Sequence, residues 1–231
     1  MSIIRGFIEI IKTPGYITPV MEGLRLTLIL TLCSAIIGFL LGLIIASIKI
    51  SATHSKFMNA LSKICDVYIA VIRGTPVALQ LFLMSLAIFA IRGFPLEITA
   101  IITFGLNSSA YVAENIRAGI LSVDRGQTEA GRALGLSYGT TMRKIVIPQA
   151  VKNIIPTIGN ELIALLKETS IVSMVGLIDL TFAAKIVGSG QNMASYIIPM
   201  TFVAIFYLAI VYVITLIIKY LERRMRASDK R

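Results

Sequence analysis

Residues 26–48 limit this chain more than any other stretch: 23 consecutive positions without a charge, bounded by Arg25 and Lys49. At the rise of an α-helix, about 20 such residues cross the hydrocarbon core of a bilayer. In lipid, backbone N–H and C=O groups must find partners inside the protein, so a lone run of this kind is helical. Gly38 and Gly42 stand one turn apart in it, a spacing that lets a second helix approach closely. Composition agrees. Of 231 residues, 56% are hydrophobic and 15% charged, whereas soluble domains carry about 25% charged residues.

The net charge of +10 does not point to nucleic acid. Its lysines and arginines fall between and after the apolar runs, which suits an anionic membrane surface and the positive-inside bias. The chain is therefore expected to be one all-α integral membrane domain, residues 1–231, with no internal repeat and no low-complexity linker. About five spans are predicted, at roughly 24–49, 67–91, 96–120, 154–177 and 193–218, with a polar loop at 121–152. A polar loop is also expected at 49–66 and another at 178–194. The first 20 residues do not form a secretory signal, because Arg5, Glu9, Lys12 and Pro14 interrupt them. Ile3, Ile4, Phe7, Ile8 and Ile11 share one helical stripe, which fits a short interfacial helix or a frayed terminus.

Topology follows from charge. If the 49–66 loop, the 121–152 loop and the tail share one side, that side holds fifteen Lys and Arg residues against five on the other. The excess predicts the amino end outside and the carboxyl end in the cytoplasm.

Polar residues inside the spans are the candidates for function, since each is costly in lipid. Arg73 and Pro76 interrupt the second span. They mark either a gate-like bend or an arginine snorkelling at a helix start. Asn107, Tyr111 and Glu114 share a face of the third span, with Arg117 one turn beyond Glu114. Glu114 either contacts a polar solute or forms a structural pair with Arg117. In the fourth span, Asn160 and Lys167 lie seven apart, as do Glu161 and Glu168, so each pair lines up. These residues line water, hold a solute or neutralise one another. Carboxylates would favour an ammonium or guanidinium group, while Asn160 or Lys167 would favour a carboxylate, and the acid excess leans toward a cationic solute. Cys33, Cys65 and the single His54 have no spacing for a metal site and are read as packing or solvated residues. The chain shows no phosphate-binding loop and no catalytic triad.

The longest polar excursion reads E-A-G-R-A-L-G-L-S-Y-G-T-T-M-R-K-I-V-I-P from Glu129 to Pro148. A short helix is expected over 128–134, then a turn at Gly135, which allows the positive torsion of a sharp helix stop and has no room for a side chain, then an amphipathic segment stopped by Pro148. This stretch resembles the cytoplasmic coupling loop of ABC importer permeases. The spacing is Glu129-Ala130, then Gly135, then Ile145-x-x-Pro148. Gly131 stands where the family has Ala, and Ile147 where it has Leu. Ile72–Pro76 with Gln80, Ser109–Arg117 and Leu165–Ser170, which includes Thr169, resemble the polar amino acid permeases within that family.

The resemblance implies a type I importer fold in a bacterial inner membrane. It implies a second permease subunit, two cytoplasmic ATPase subunits that carry ATP and magnesium, and an external amino-acid-binding protein. Glu129, Ala130, Gly131, Gly135, Ile145 and Pro148 would be the ATPase contact. Asn107, Tyr111, Glu114, Asn160, Glu161, Lys167, Glu168 and Thr169 would line the path. The chain itself would hold no cofactor and catalyse no reaction. The alternatives are a secondary carrier or channel that needs no ATPase, and a structural subunit of a membrane complex.

Overall fold

The structure, a computed structural model, describes residues 3–51, 55–88, 93–189 and 196–226. His54, Arg92 and Met193 lie outside the described residues. The order is α1 (Ile3–Lys12), α2 (Pro14–Ser51), α3 (Lys56–Gly74), α4 (Val77–Leu83), α5 (Leu96–Leu121), α6 (Arg125–Ala133), α7 (Tyr138–Thr141), α8 (Ile147–Glu168), α9 (Leu180–Gly188) and α10 (Ile197–Arg226). Among the described residues, α2, α5 and α10 are long and apolar enough to cross a membrane. The count reaches five if each of two helix pairs bent at a short break is one span.

Several expected boundaries move. The 49–66 segment is not a loop throughout, because α3 already starts at Lys56. Its first turns are polar, but Ser62, Cys65 and Ile69 recur on one face and are buried, so packing outweighs local polarity. The 178–194 segment holds α9 rather than a loop. Asp179 caps it, accepting from the backbone N–H groups of Thr181 (2.9 Å) and Phe182 (3.0 Å), and thereby satisfies two donors a helix start leaves unpaired. The first span begins earlier than expected, at Pro14, and the last helix runs on to Arg226.

Pro148 does not stop a helix. It is the second residue of α8. Just before it, Met142–Val146 form one π turn, in which the Ile147 N–H reaches back five residues to the Met142 carbonyl. A proline ring inside an α-helix collides with the carbonyl four residues back, and the wider turn relieves that collision.

The chain divides into two compact units. The first comprises residues 1–37, 75–106 and 163–213. In it, Ile10, Val20, Leu180, Val187 and Phe202 form one buried cluster. Leu30, Leu81, Phe104, Leu165 and Val172 form another. Here α1 is helical and its stripe divides. Phe7 packs edge-on to Phe202, ring centres 5.3 Å apart, while Ile3, Ile4, Ile8 and Ile11 are exposed.

The second unit comprises residues 38–74, 107–162 and 214–231. Two small clusters hold it, one around Ala46, Val112 and Ile116 and one around Ile69, Ala110 and Ala113. The expected close approach occurs at Gly42, where a Cβ would lie 2.6 Å from Cγ1 of Val112. Contact at that range is how membrane helices associate when lipid is as apolar as the side chains. The outer surface stays apolar. Only 11% of the membrane-length window of α10 is buried, and Leu32, Leu40, Ile44, Leu208 and Val213 are exposed. An exposed apolar surface of that kind is one that lipid or a partner subunit covers.

Candidate functional site

The polar loop is a helical hairpin built from its own hydrogen bonds. Asp124 starts α6 by accepting from the Gly126 N–H at 2.6 Å, so the helix begins at Arg125, earlier than the expected 128. It ends at Ala133 in a closed motif: the Leu136 N–H donates to the Gly131 carbonyl (3.1 Å) and the Gly135 N–H to the Arg132 carbonyl (3.0 Å). That pairing requires a left-handed residue at the helix end, and Gly135 supplies it with φ +80°. The positive torsion expected from sequence is present, whereas the expected lack of room is not: a Cβ on Gly135 would meet nothing within 4 Å. Ser137 then opens α7, accepting from the Thr140 N–H.

The six loop residues singled out by sequence divide between two roles. Glu129, Ala130, Gly135 and Pro148 are exposed. Gly131 is buried and faces inward, where a Cβ would lie 2.7 Å from Cγ2 of Thr141 and 3.3 Å from Cδ1 of Ile145. Gly131 and Ile145 therefore hold the hairpin closed. The exposed face pairs one carboxylate with small side chains, and Leu134 stands out beside it at 80% exposure.

Glu114 is the centre of the main charged cluster. Lys49 Nζ lies 2.7 Å from its Oε1 and 2.9 Å from Asp66 Oδ1. Arg117 donates from Nε to both Glu114 oxygens and from Nη2 to Oε2 at 2.8 Å. Arg73 Nη1 is 4.0 Å from Oε2 and its guanidinium lies 5.1 Å over the Tyr111 ring. Both Glu114 oxygens are thus engaged within the chain, and the structural-pair alternative describes this residue better than solute contact. Sequence spacing indicated Arg117 but missed Lys49 and Asp66, which only tertiary packing brings near. Their position at the ends of apolar runs marks them as charges at a span boundary, not as partners of Glu114.

The other path residues are placed separately. In the second unit, Asn107 is buried and Tyr111 half-buried beneath Arg73. Glu161 Oε1 accepts from Ser108 at 3.0 Å, a partner the sequence did not single out, and Asn160 is exposed. In the first unit, Lys167 is exposed and Glu168 half-buried. Thr169 is fully buried and donates its hydroxyl to the Leu166 carbonyl at 2.7 Å. That removes Thr169 from the path-lining set, because its polar atom is already used and hidden. Pro76 does mark a break: α3 ends at Gly74, α4 begins at Val77, and Gln80 Nε2 donates to Thr75 Oγ1 at 2.8 Å.

Comparison with known proteins fits this layout. The family model described as binding-protein-dependent transport system inner membrane component matches residues 38–227. The arginine transport system permease protein ArtQ of Bacillus subtilis (strain 168) is 41% identical over 91% of this chain and 94% of its own. The glutamine transport system permease protein GlnP of Escherichia coli (strain K12) is 34% identical over 89% of this chain and 92% of its own. A crystal structure of an amino acid ABC transporter with histidines superposes with a TM-score of 0.83 at 40% identity, covering 94% of this chain and 98% of that one. The inward-facing MetNI methionine ABC transporter shares the fold at 20% identity, with a TM-score of 0.75 over 92% of this chain and 99% of that one. A family match that runs through residues 38–227 and a relative 41% identical over 91% of the chain lead to one assignment: the chain belongs to the inner membrane components of binding-protein-dependent transport systems.

Proposed function

We propose that this chain is the transmembrane permease subunit of an ATP-driven importer for a polar amino acid, and that α6 is the element through which ATPase partners move it. The observation that carries the reading is the α6 surface. Glu129 and Ala130 are exposed beside a helix end locked by Gly135, while Gly131 and Ile145 brace it from within. A rigid, small-surfaced knob transmits a push where a floppy loop would absorb it.

Residues 1–231 act as one permease domain, a reading supported by a single family match over residues 38–227. The charge bias of the loops and tail supports an external amino end and a cytoplasmic carboxyl end. Two ATPase subunits, a second permease subunit and an external binding protein complete the assembly. ATP and magnesium sit on the ATPases, and the permease itself performs no chemistry. Relatives named for arginine and glutamine support a polar solute. The excess of Glu161 and Glu168 over Lys167 supports a cationic one such as arginine, with Asn160 and Glu161 the residues expected to touch it.

Uptake of radiolabelled arginine into proteoliposomes tests both parts. Transport should require the ATPase partner and ATP. Uptake of equal rate with the ATPase left out would show an autonomous carrier or channel instead. Binding of arginine and glutamine to a Glu161→Gln permease then tests the solute contact, and unchanged affinity for both would remove Glu161 from it.

A further inference from the structure

Two clefts of opposite character meet beside the end of α2, within the second unit. One, of about 500 Å³, is lined by Lys49, Arg117, Arg125 and Thr128, and no carboxylate lines it. The other, of about 410 Å³, is walled by apolar side chains including Phe39, Leu43, Ile116 and Val151. Ile50, Ile120, Tyr138 and Met142 line both. Together they form one trough, basic at one end and apolar at the other.

The three cations differ in what they have left to give. Lys49 is committed to Glu114 and Asp66. Arg117 spends Nε and Nη2 on Glu114, and a guanidinium has five N–H donors, so Nη1 remains. Arg125 is exposed at the start of α6, and its side chain makes no hydrogen bond or ion pair among the described residues. At the apolar end, Phe39, Leu43 and Val151 are exposed. The switch in character falls at Lys49, where the uncharged run of α2 ends and a bilayer would pass from acyl chains to headgroups.

We propose that this trough binds an anionic phospholipid, its phosphate held by Arg125 and the free edge of Arg117 and one acyl chain lying along Phe39, Leu43 and Val151. Charge complementarity selects this occupant. Basic pockets between membrane helices take anionic headgroups, and an apolar trough continuous with the basic end accounts for the other half of the same molecule. A soluble anion would use only the basic end, and a second copy of the chain would need to meet the exposed arginine with a carboxylate. Because Tyr138 and Met142 belong to the loop hairpin, the lipid would lie against the element proposed as the ATPase contact. The binding itself does not depend on that proposal.

Native mass spectrometry of the full chain, titrated with phosphatidylglycerol or phosphatidylcholine of identical acyl chains, tests the proposal. Phosphatidylglycerol should be retained in preference. Arg125→Gln should cut that preference by about fivefold, the change one basic residue makes at an anionic surface. Val151→Phe, which fills the trough, should reduce retention of both lipids. Glycerol phosphate lacking acyl chains should bind weakly or not at all. Equal retention of the two lipids by the unmodified chain would overturn the proposal, as would an Arg125→Gln chain with its preference intact. Glycerol phosphate binding as tightly as the lipid would make it an anion site only. A dimer that Val151→Phe dissociates, with lipid retention unchanged, would give the trough to a second copy.

Discussion

Lys49 Nζ sits 2.7 Å from Glu114 Oε1, joining the end of α2 to the middle of the polar face of α5 across 65 residues of sequence. The contact is largely shielded, with Lys49 13% and Glu114 17% exposed. Removing one member of a shielded charge pair leaves the other stranded, which typically costs about 3 kcal/mol. Glu114→Gln should therefore lower the melting temperature of the detergent-solubilised chain. Adding Lys49→Met should then cost less than it does in the unmodified chain, because the bond to Glu114 is already gone and only the one to Asp66 remains to be lost. A double variant as unstable as the sum of both single variants would show that the two residues do not act together.

Gly131 and Thr141 set up a second, opposed pair of effects. Alanine favours a helix over glycine by about 1 kcal/mol. A Cβ at 2.7 Å from a fully buried threonine methyl costs about 1–3 kcal/mol in overpacking. Overpacking outweighs the gain in helix preference, so Gly131→Ala should loosen the hairpin. Thr141→Ser removes that methyl and keeps the hydroxyl that bonds the Ser137 carbonyl, so the double variant should regain order. Hydrogen exchange at the Leu136 amide reports the result directly.

Gly135 separates torsion from contact. Asparagine and valine are similar in size, but asparagine tolerates the left-handed region and valine does not. Forcing a β-branched residue to φ +80° costs about 1–2 kcal/mol or more. Gly135→Val should depress solute-stimulated ATP hydrolysis of the assembled transporter well below Gly135→Asn. Equal loss in both would mean that the partner's lack of space at this position decides, not the backbone of this chain.

Asp179 holds the start of α9 through two backbone bonds and also lies 3.4 Å from the Tyr207 hydroxyl. Loss of a helix cap costs about 1 kcal/mol. Asp179→Ala should speed exchange of the Thr181 and Phe182 amides, and Asp179→Asn, which keeps one of the two acceptor oxygens, should restore protection at only one of them.

Periodicity and charge carry much of the architecture in the sequence, and fail at identifiable places. The 26–48 run has to be a membrane helix because its length and lack of charge leave no other stable form. The start of α3 is hidden because polarity along 56–66 is a local property, whereas the burial of Ser62, Cys65 and Ile69 depends on neighbours distant in sequence. α9 is hidden for a related reason: Leu180, Ala183, Ala184 and Val187 have helical spacing, but the segment is too short to register as a span. In the candidate site, Glu114 and Arg117 are legible because one turn separates them. Lys49 and Asp66 are not, since nothing in a linear pattern marks which distant charges will converge. Gly135 is recognisable as a helix end that needs a positive torsion, and it has one; the lack of room also expected there is not found, because crowding depends on neighbours that a linear pattern does not place.

The single π turn at Met142–Val146 has a bearing on how the loop can change length. A turn that already holds one residue more than an α-helix needs can lose that residue and leave the side chains beyond it in rotational phase. One residue deleted from the regular part of α8, between 149 and 157, would instead swing everything downstream by about 100°, carrying Glu161 off Ser108. A one-residue deletion that keeps Glu161 on Ser108 is thereby confined to the stretch just ahead of Pro148.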